Sequence, residues 1–134
     1  MSKVEKLMQE ADRNNIEVFY GFFPACKGIC CTGYIALDWD LTETEETVCL
    51  AHEMGHCMTG SFYSLSAPDL ERVRAERRAD KWAIKKLVPV RELERALKQG
   101  YQLYEIAERM GVTEEFLRKA VRYYAKTERI WYSG

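Results

Sequence analysis

Apolar positions recur along this chain with two different periods, and the changes of period mark its elements. Val4, Leu7, Met8 and Ala11 follow helical spacing, predicting an amphipathic first helix that ends near Asn14-Asn15. Ile16, Val18, Tyr20 and Phe22 then alternate, which predicts a strand, with Pro24 and Gly28 expected to turn the chain. A second strand is expected over 33–38 (Gly33 to Asp38). Beyond it, Val48, Leu50, Ala51, Met54, Cys57 and Met58 surround a helix with apolar groups nearly all the way round, the pattern of a buried helix. Its ends are readable. Thr42 with Glu45 three residues later forms a capping box, Glu43, Glu45 and Glu46 complement the helix dipole, and Gly60 stops the helix, giving a span of 43–59. Ser66 and Asp69 read as a second capping box, with Pro68 in the first turn and Pro89 at the far end. On that helix Val73, Glu76, Asp80, Ala83, Ile84 and Leu87 share one face, while Glu71, Arg74, Arg78, Lys81 and Lys85 form a solvated one.

Polar groups on the buried helix carry the chemistry. The chain has two histidines, His52 and His56, and Glu53 follows the first, making H-E-x-x-H. Residues i and i+4 share a helix face, so both imidazoles can reach one ion, and Glu53 on the same turn can hold a water that the ion acidifies. A catalytic zinc site takes three protein ligands and one open position. With no third histidine, the remaining ligand must be a carboxylate or a cysteine. Two carboxylates interrupt the apolar stripe of the next helix, and Glu76 is expected as the third ligand, with Asp80 one turn on accepting a hydrogen bond that orients a ligating imidazole. Pairing of Glu76 and Asp80 with Arg72 or Arg77 at the helix margin is the alternative. Gly55 costs helix stability relative to alanine; either a close approach of neighbouring backbone or simple tolerance accounts for it.

His52-Glu53-Met54-Gly55-His56, followed by Glu76-Arg77-Arg78-Ala79-Asp80-Lys81-Trp82-Ala83 and Lys86-Leu87-Val88-Pro89, resembles the ImmA/IrrE metallopeptidases. The likeness runs from about Ile16 to Pro89 and less firmly to the C-terminus. It implies Zn2+ held by His52, His56 and Glu76, with Glu53 as general base and Asp80 in support. Met54 stands where the family often has leucine, and Asp80 where asparagine is frequent; both changes preserve the expected roles. The implied chemistry is peptide-bond hydrolysis, in which Glu53 takes a proton from the bound water and passes it to the leaving amine. Tyr20, Tyr34 and Tyr63 are candidate donors to the oxyanion. Zinc peptidases of this type bind substrate backbone along an edge strand, which makes Thr32 to Leu37 the expected docking edge, with an ordinary supporting hairpin as the alternative. The resemblance also implies a substrate: a helix-turn-helix transcriptional repressor of a phage or mobile element, cleaved at a specific site.

Together these readings predict an α+β fold: a mostly helical, zincin-like domain spanning 1–134. Residues 1–89 would hold a strand pair and the zinc-binding helices, and 90–134 a C-terminal helical segment. In that segment Ala107, Gly111, Val112 and Leu117 are spaced as in a helix-turn-helix, with Thr113 capping the second helix. Glu114 and Glu115 occupy the end that would approach phosphates, and there is no basic footprint, so charge argues against direct nucleic-acid binding. Packing scaffold or protein docking suits the segment better.

Composition adds limits. The formal net charge of −1 gives no global attraction to nucleic acid or anionic membrane, no apolar run is long enough to span a bilayer, and Met1-Ser2-Lys3 opens no signal peptide. Five cysteines, one beside a predicted ligand, argue for reduced and partly buried thiols rather than a disulfide framework; Cys26, Cys30 and Cys31 are only a weak second metal site. A cytoplasmic enzyme with a protein substrate is the expectation. A zinc hydrolase of a non-peptide substrate, or a DNA-binding regulator with structural zinc, are the alternatives.

Overall fold

A computed structural model describes residues 1–22, 28–128 and 130, with the backbone alone for 28–30. The element order is α1 (Lys3–Arg13), β1 (Glu17–Gly21), β2 (Gly28–Cys31), β3 (Tyr34–Asp38), α2 (Glu43–Thr59), α3 (Asp69–Leu87), α4 (Val90–Lys98), α5 (Leu103–Met110) and α6 (Glu114–Thr127). This is the expected α+β arrangement, mostly helical with a small sheet ahead of α2.

The sheet corrects the sequence reading. It has three strands in the order β1-β3-β2, with β1 parallel and β2 antiparallel to β3. Strand β2 was not expected, because Gly28-Ile29-Cys30-Cys31 is short and its pattern does not alternate polar with apolar. Instead of beginning a strand, Gly33 sits in the two-residue turn between β2 and β3 with φ of 82°, a conformation glycine adopts without strain. The expected docking edge, Thr32 to Leu37, is overturned by the same topology. Tyr34–Leu37 form the central strand, hydrogen-bonded on both flanks, and cannot receive another chain. Pro24 and Cys26 lie outside the described residues, as does the side chain of Cys30. Of the described cysteines, Cys49 and Cys57 are half-buried as expected but Cys31 is exposed.

Helix α2 is the centre of the core. Leu50, Ala51 and Met54 are fully buried among Leu7 and Ala11 of α1, Ile35 and Leu37 of β3, and Ala83 and Ile84 of α3. Its capping box forms as predicted: Thr42 Oγ1 accepts from Glu45 N–H at 3.3 Å, and Thr42 N–H donates to Glu45 Oε1 at 3.0 Å. Gly60 closes the helix in the left-handed region at φ 65°.

Helix α3 starts later than its sequence suggested. The predicted Ser66–Asp69 box is absent; Pro68 occupies the N-cap and the Ser66 hydroxyl meets that of Ser64 at 3.3 Å. Ala67 precedes a proline and is disfavoured in the α region, so the helix cannot begin before Pro68. The inward face is also displaced. Ala75, Ala79 and Ala83 are buried with Ile84 and Leu87, while Val73 is exposed. Glu76 and Asp80 therefore border the buried stripe rather than interrupt it.

The alanine stripe lets α3 approach α2 closely at Gly55. A Cβ built on Gly55 would lie 2.5 Å from the Ala79 carbonyl oxygen and 2.9 Å from its Cα. Close approach, not tolerance, explains this glycine. Helices α5 and α6 adopt the predicted helix-turn-helix, with Gly111 at φ 69° and Thr113 Oγ1 accepting from Phe116 N–H at 3.1 Å. The inward face of the pair packs into the core, where Leu103, Ile106, Phe116, Leu117, Val121 and Tyr124 are all buried. Tyr124 donates to the Val88 carbonyl at 2.7 Å, tying α6 to the end of α3. Among the described residues no helix is long and apolar enough to cross a membrane.

Candidate metal centre

The two histidines project from adjacent turns of α2 toward Glu76 on α3. His56 Nε2 lies 2.6 Å from Glu76 Oε2, and His52 Nε2 lies 3.1 Å from the same oxygen. The rear nitrogens are anchored as well. His56 Nδ1–H donates to the Ser61 carbonyl at 2.6 Å, and His52 Nδ1–H to Asp80 Oδ1 at 2.9 Å. A carbonyl can only accept, so Ser61 holds the His56 proton on Nδ1 and leaves Nε2 as the basic nitrogen; the Asp80 carboxylate does the same for His52. Each Nε2 faces the Glu76 carboxylate, donating a hydrogen bond while protonated and offering its lone pair to a cation once that proton leaves, so the three side chains can form a ligand set.

Its dimensions fit a small cation. One ligand atom from each of His52, His56 and Glu76 all lie within 4.8 Å of one another. With metal–ligand bonds of about 2.0–2.2 Å, tetrahedral ligand atoms stand roughly 3.4 Å apart; the separations of 2.6 and 3.1 Å to Glu76 are shorter because those atoms hydrogen-bond directly, and a cation between them would open the set slightly. The rear hydrogen bonds are those that fix ring orientation in metal-binding histidines.

The electrostatics agree. Hydrogen bonds from His52, and then from His56, hold the Glu76 carboxyl well below the usual carboxylate range despite partial burial. Burial alone would depress His52, but its bonds to Asp80 and Glu76 outweigh that and push it up to about 9. His56 is also raised, because Glu76 and the Ser61 carbonyl overcome the effect of burial. Asp80 is lowered, its burial offset by His52 and the Lys119 ammonium. The site thus favours positive charge, which a divalent cation supplies at the same nitrogens that protons occupy.

His52, His56, Glu76 and Asp80 lie together here. Arg72, the alternative partner for Glu76, pairs with Asp69 at 2.9 Å instead. Glu53 is half-buried and lines a cleft of about 360 Å³ together with His52, Asp80, Val48, Phe116 and Lys119. Tyr63, Glu76 and Asp80 also border an open groove. Tyr63 donates to Glu76 Oε1 at 3.2 Å. Of the three candidate tyrosines it is the one touching the ligand cluster: Tyr34 stacks on Phe19 at the sheet surface, and Tyr20 packs on Trp39.

Sequence reasoning missed two groups. Ser61 acts through its backbone carbonyl, which leaves no signature in residue type; only the left-handed turn at Gly60 hinted that the chain would fold back there. Lys119 donates to Asp80 Oδ2 at 3.2 Å from a helix 39 positions away. Nothing in its local pattern singled it out from the other charges of α6.

No curated protein significantly matches the chain. A family model does match, over residues 6–122, which takes in the sheet, both site helices and most of α6; its description is the IrrE N-terminal-like domain. The chain therefore belongs to the IrrE N-terminal-like peptidase family, in agreement with a His52–His56–Glu76 cluster that could hold a metal ion.

Proposed function

We propose that this protein is a zinc-dependent endopeptidase of the cytoplasm, with His52, His56 and Glu76 as metal ligands and Glu53 as general base. The observation carrying this reading is the convergence of two rear-anchored imidazoles on one Glu76 oxygen, with Glu53 one residue from the first of them. Zinc bound there would lower the pKa of its water toward neutrality and polarise the scissile carbonyl. Glu53, facing the cleft beside His52, takes the proton from the attacking water and delivers it to the leaving amine. Asp80 and Ser61 hold the imidazoles still while this happens. Tyr63, beside Glu76, is the best-placed donor to the developing oxyanion.

For the substrate we keep a helix-turn-helix repressor of a phage or mobile element, on the family likeness. Backbone docking belongs to β2 rather than β3. Among the described residues β2 pairs on one side only, and it adjoins α2, where the Cys57 thiol donates to the Cys31 carbonyl at 3.8 Å. The acidic first turn of α6, Glu114 and Glu115, argues against DNA contact by that pair.

Glu53→Gln is the decisive substitution. It keeps shape and hydrogen bonding but cannot accept a proton, so zinc content should stay at the wild-type level while cleavage of a co-encoded repressor falls by about 10²–10⁴. A time course run beside metal analysis of the same preparation reads both. Wild-type cleavage by zinc-loaded Glu53→Gln would show that this glutamate is not the base.

A further inference from the structure

Lys119 stands on the second turn of α6, far from the ligands in sequence, and its ammonium reaches Asp80 Oδ2 on α3 at 3.2 Å. The other oxygen of that carboxylate accepts the His52 Nδ1–H at 2.9 Å. Helices α2 and α6 thus grip opposite oxygens of one side chain. We propose that Lys119 is a positioning residue for the metal centre, acting through Asp80 to hold the His52 ring so that Nε2 faces the ion. The inference rests on the metal-centre reading above and adds the C-terminal helix pair to the site.

The physical argument concerns freedom of rotation. The terminal torsion of an aspartate is broad, so one hydrogen bond to His52 leaves the carboxylate able to swing. A second anchor on its other oxygen removes that motion. Lysine suits the task because an ammonium only donates and never competes for the His52 proton. The anchor itself is rigid. Phe116, Leu117 and Ala120 bury the adjoining face of α6, and the Tyr124 hydroxyl fixes the helix to the Val88 carbonyl. A support of this kind is what keeps ligand geometry within tolerance.

A merely structural role predicts something different. The Lys119 side chain is 44% exposed and that of Asp80 25%, and pairs this open contribute little to folding. Loss of Lys119 should therefore show in metal affinity, not in the fold.

The test is zinc affinity of the full chain, measured by competition with a chromophoric chelator. Wild type would be compared with Lys119→Met, Lys119→Arg, Asp80→Asn and the Lys119→Met/Asp80→Asn pair. Direct partners of metal-binding histidines typically affect affinity by about ten- to a hundredfold, so a residue one bond further out should weaken it roughly three- to tenfold in Lys119→Met. Lys119→Arg should restore most of the loss. In the Asp80→Asn background Lys119→Met should have no further effect, since the path runs through that carboxylate. Circular dichroism at saturating zinc should match wild type throughout. Wild-type affinity in Lys119→Met, or an equal loss with and without Asp80, would overturn the proposal. His52→Ala separates the two claims: if wild type binds no zinc, or His52→Ala keeps it, the metal-centre reading itself fails. Zinc that depends on His52 but is indifferent to Lys119 refutes the positioning role alone.

Discussion

Gly55→Ala tests the packing that holds the site together, because two effects of similar size oppose each other there. Alanine is the better helix former, worth about 1 kcal/mol over glycine in a helix interior. Against this, the added methyl would stand 2.5 Å from the Ala79 oxygen, 2.9 Å from its Cα and 3.1 Å from its carbonyl carbon. All three atoms are backbone of the facing helix, so no side chain can swing aside. Restoring ordinary contact requires α2 and α3 to separate by roughly 1 Å, and overpacking of this kind typically costs about 1–3 kcal/mol. The net expectation is a destabilisation of up to about 2 kcal/mol, read as a lower urea midpoint with unchanged slope. The larger consequence lies at the metal. His52 and His56 flank Gly55 on α2, while Glu76 and Asp80 flank Ala79 on α3, so a shift at this crossing spreads the ligand set directly. A metal-binding constellation has to be held to within about 0.5 Å of its working geometry. Zinc affinity, from chelator competition, should therefore fall more than tenfold although no ligand has been touched. A Gly55→Ala protein that is more stable than wild type and binds zinc equally well would refute the close-approach argument, since propensity alone would then account for it.

Four further outcomes follow from particular contacts. Glu76→Ala removes one of three ligands and should leave little zinc in the purified protein by metal analysis, whereas Asp80→Ala should weaken binding by about ten- to a hundredfold. Tyr124→Phe removes the buried bond to the Val88 carbonyl and should cost about 1–2 kcal/mol in urea unfolding. The same tyrosine carries an alkaline signature. Burial, with Tyr123 and Glu128 nearby, pushes it up to about 12 against an ordinary value near 10, so its contribution is complete below about pH 10 and is lost as pH rises toward 12. Tyr124→Phe should lack that part of the alkaline decline in a pH series of unfolding midpoints.

What could be read from residues alone was local. The spacing of His52 and His56, the Thr42–Glu45 box and the stop at Gly60 each depend on neighbours within about one helical turn, and α2 forms over the expected span. Glu76 and Asp80 were legible for the same reason: a four-residue interval places them on one side of α3 whatever surrounds it. Tertiary structure decided the rest. Strand order could not be read, because β3 acquires its central place by pairing with β1 and β2, and pairing partners leave no mark on the strand itself. The start of α3 turned on Pro68 excluding Ala67 from the helix, a steric effect that outweighed the Ser66–Asp69 pattern. Gly55 was ambiguous until Ala79 was found against it, since one helix does not record how near the next will come. Ser61 and Lys119 share that limit. One acts through a backbone carbonyl common to every residue, the other across a contact between distant helices, and both become visible only when folding brings them behind His56 and His52.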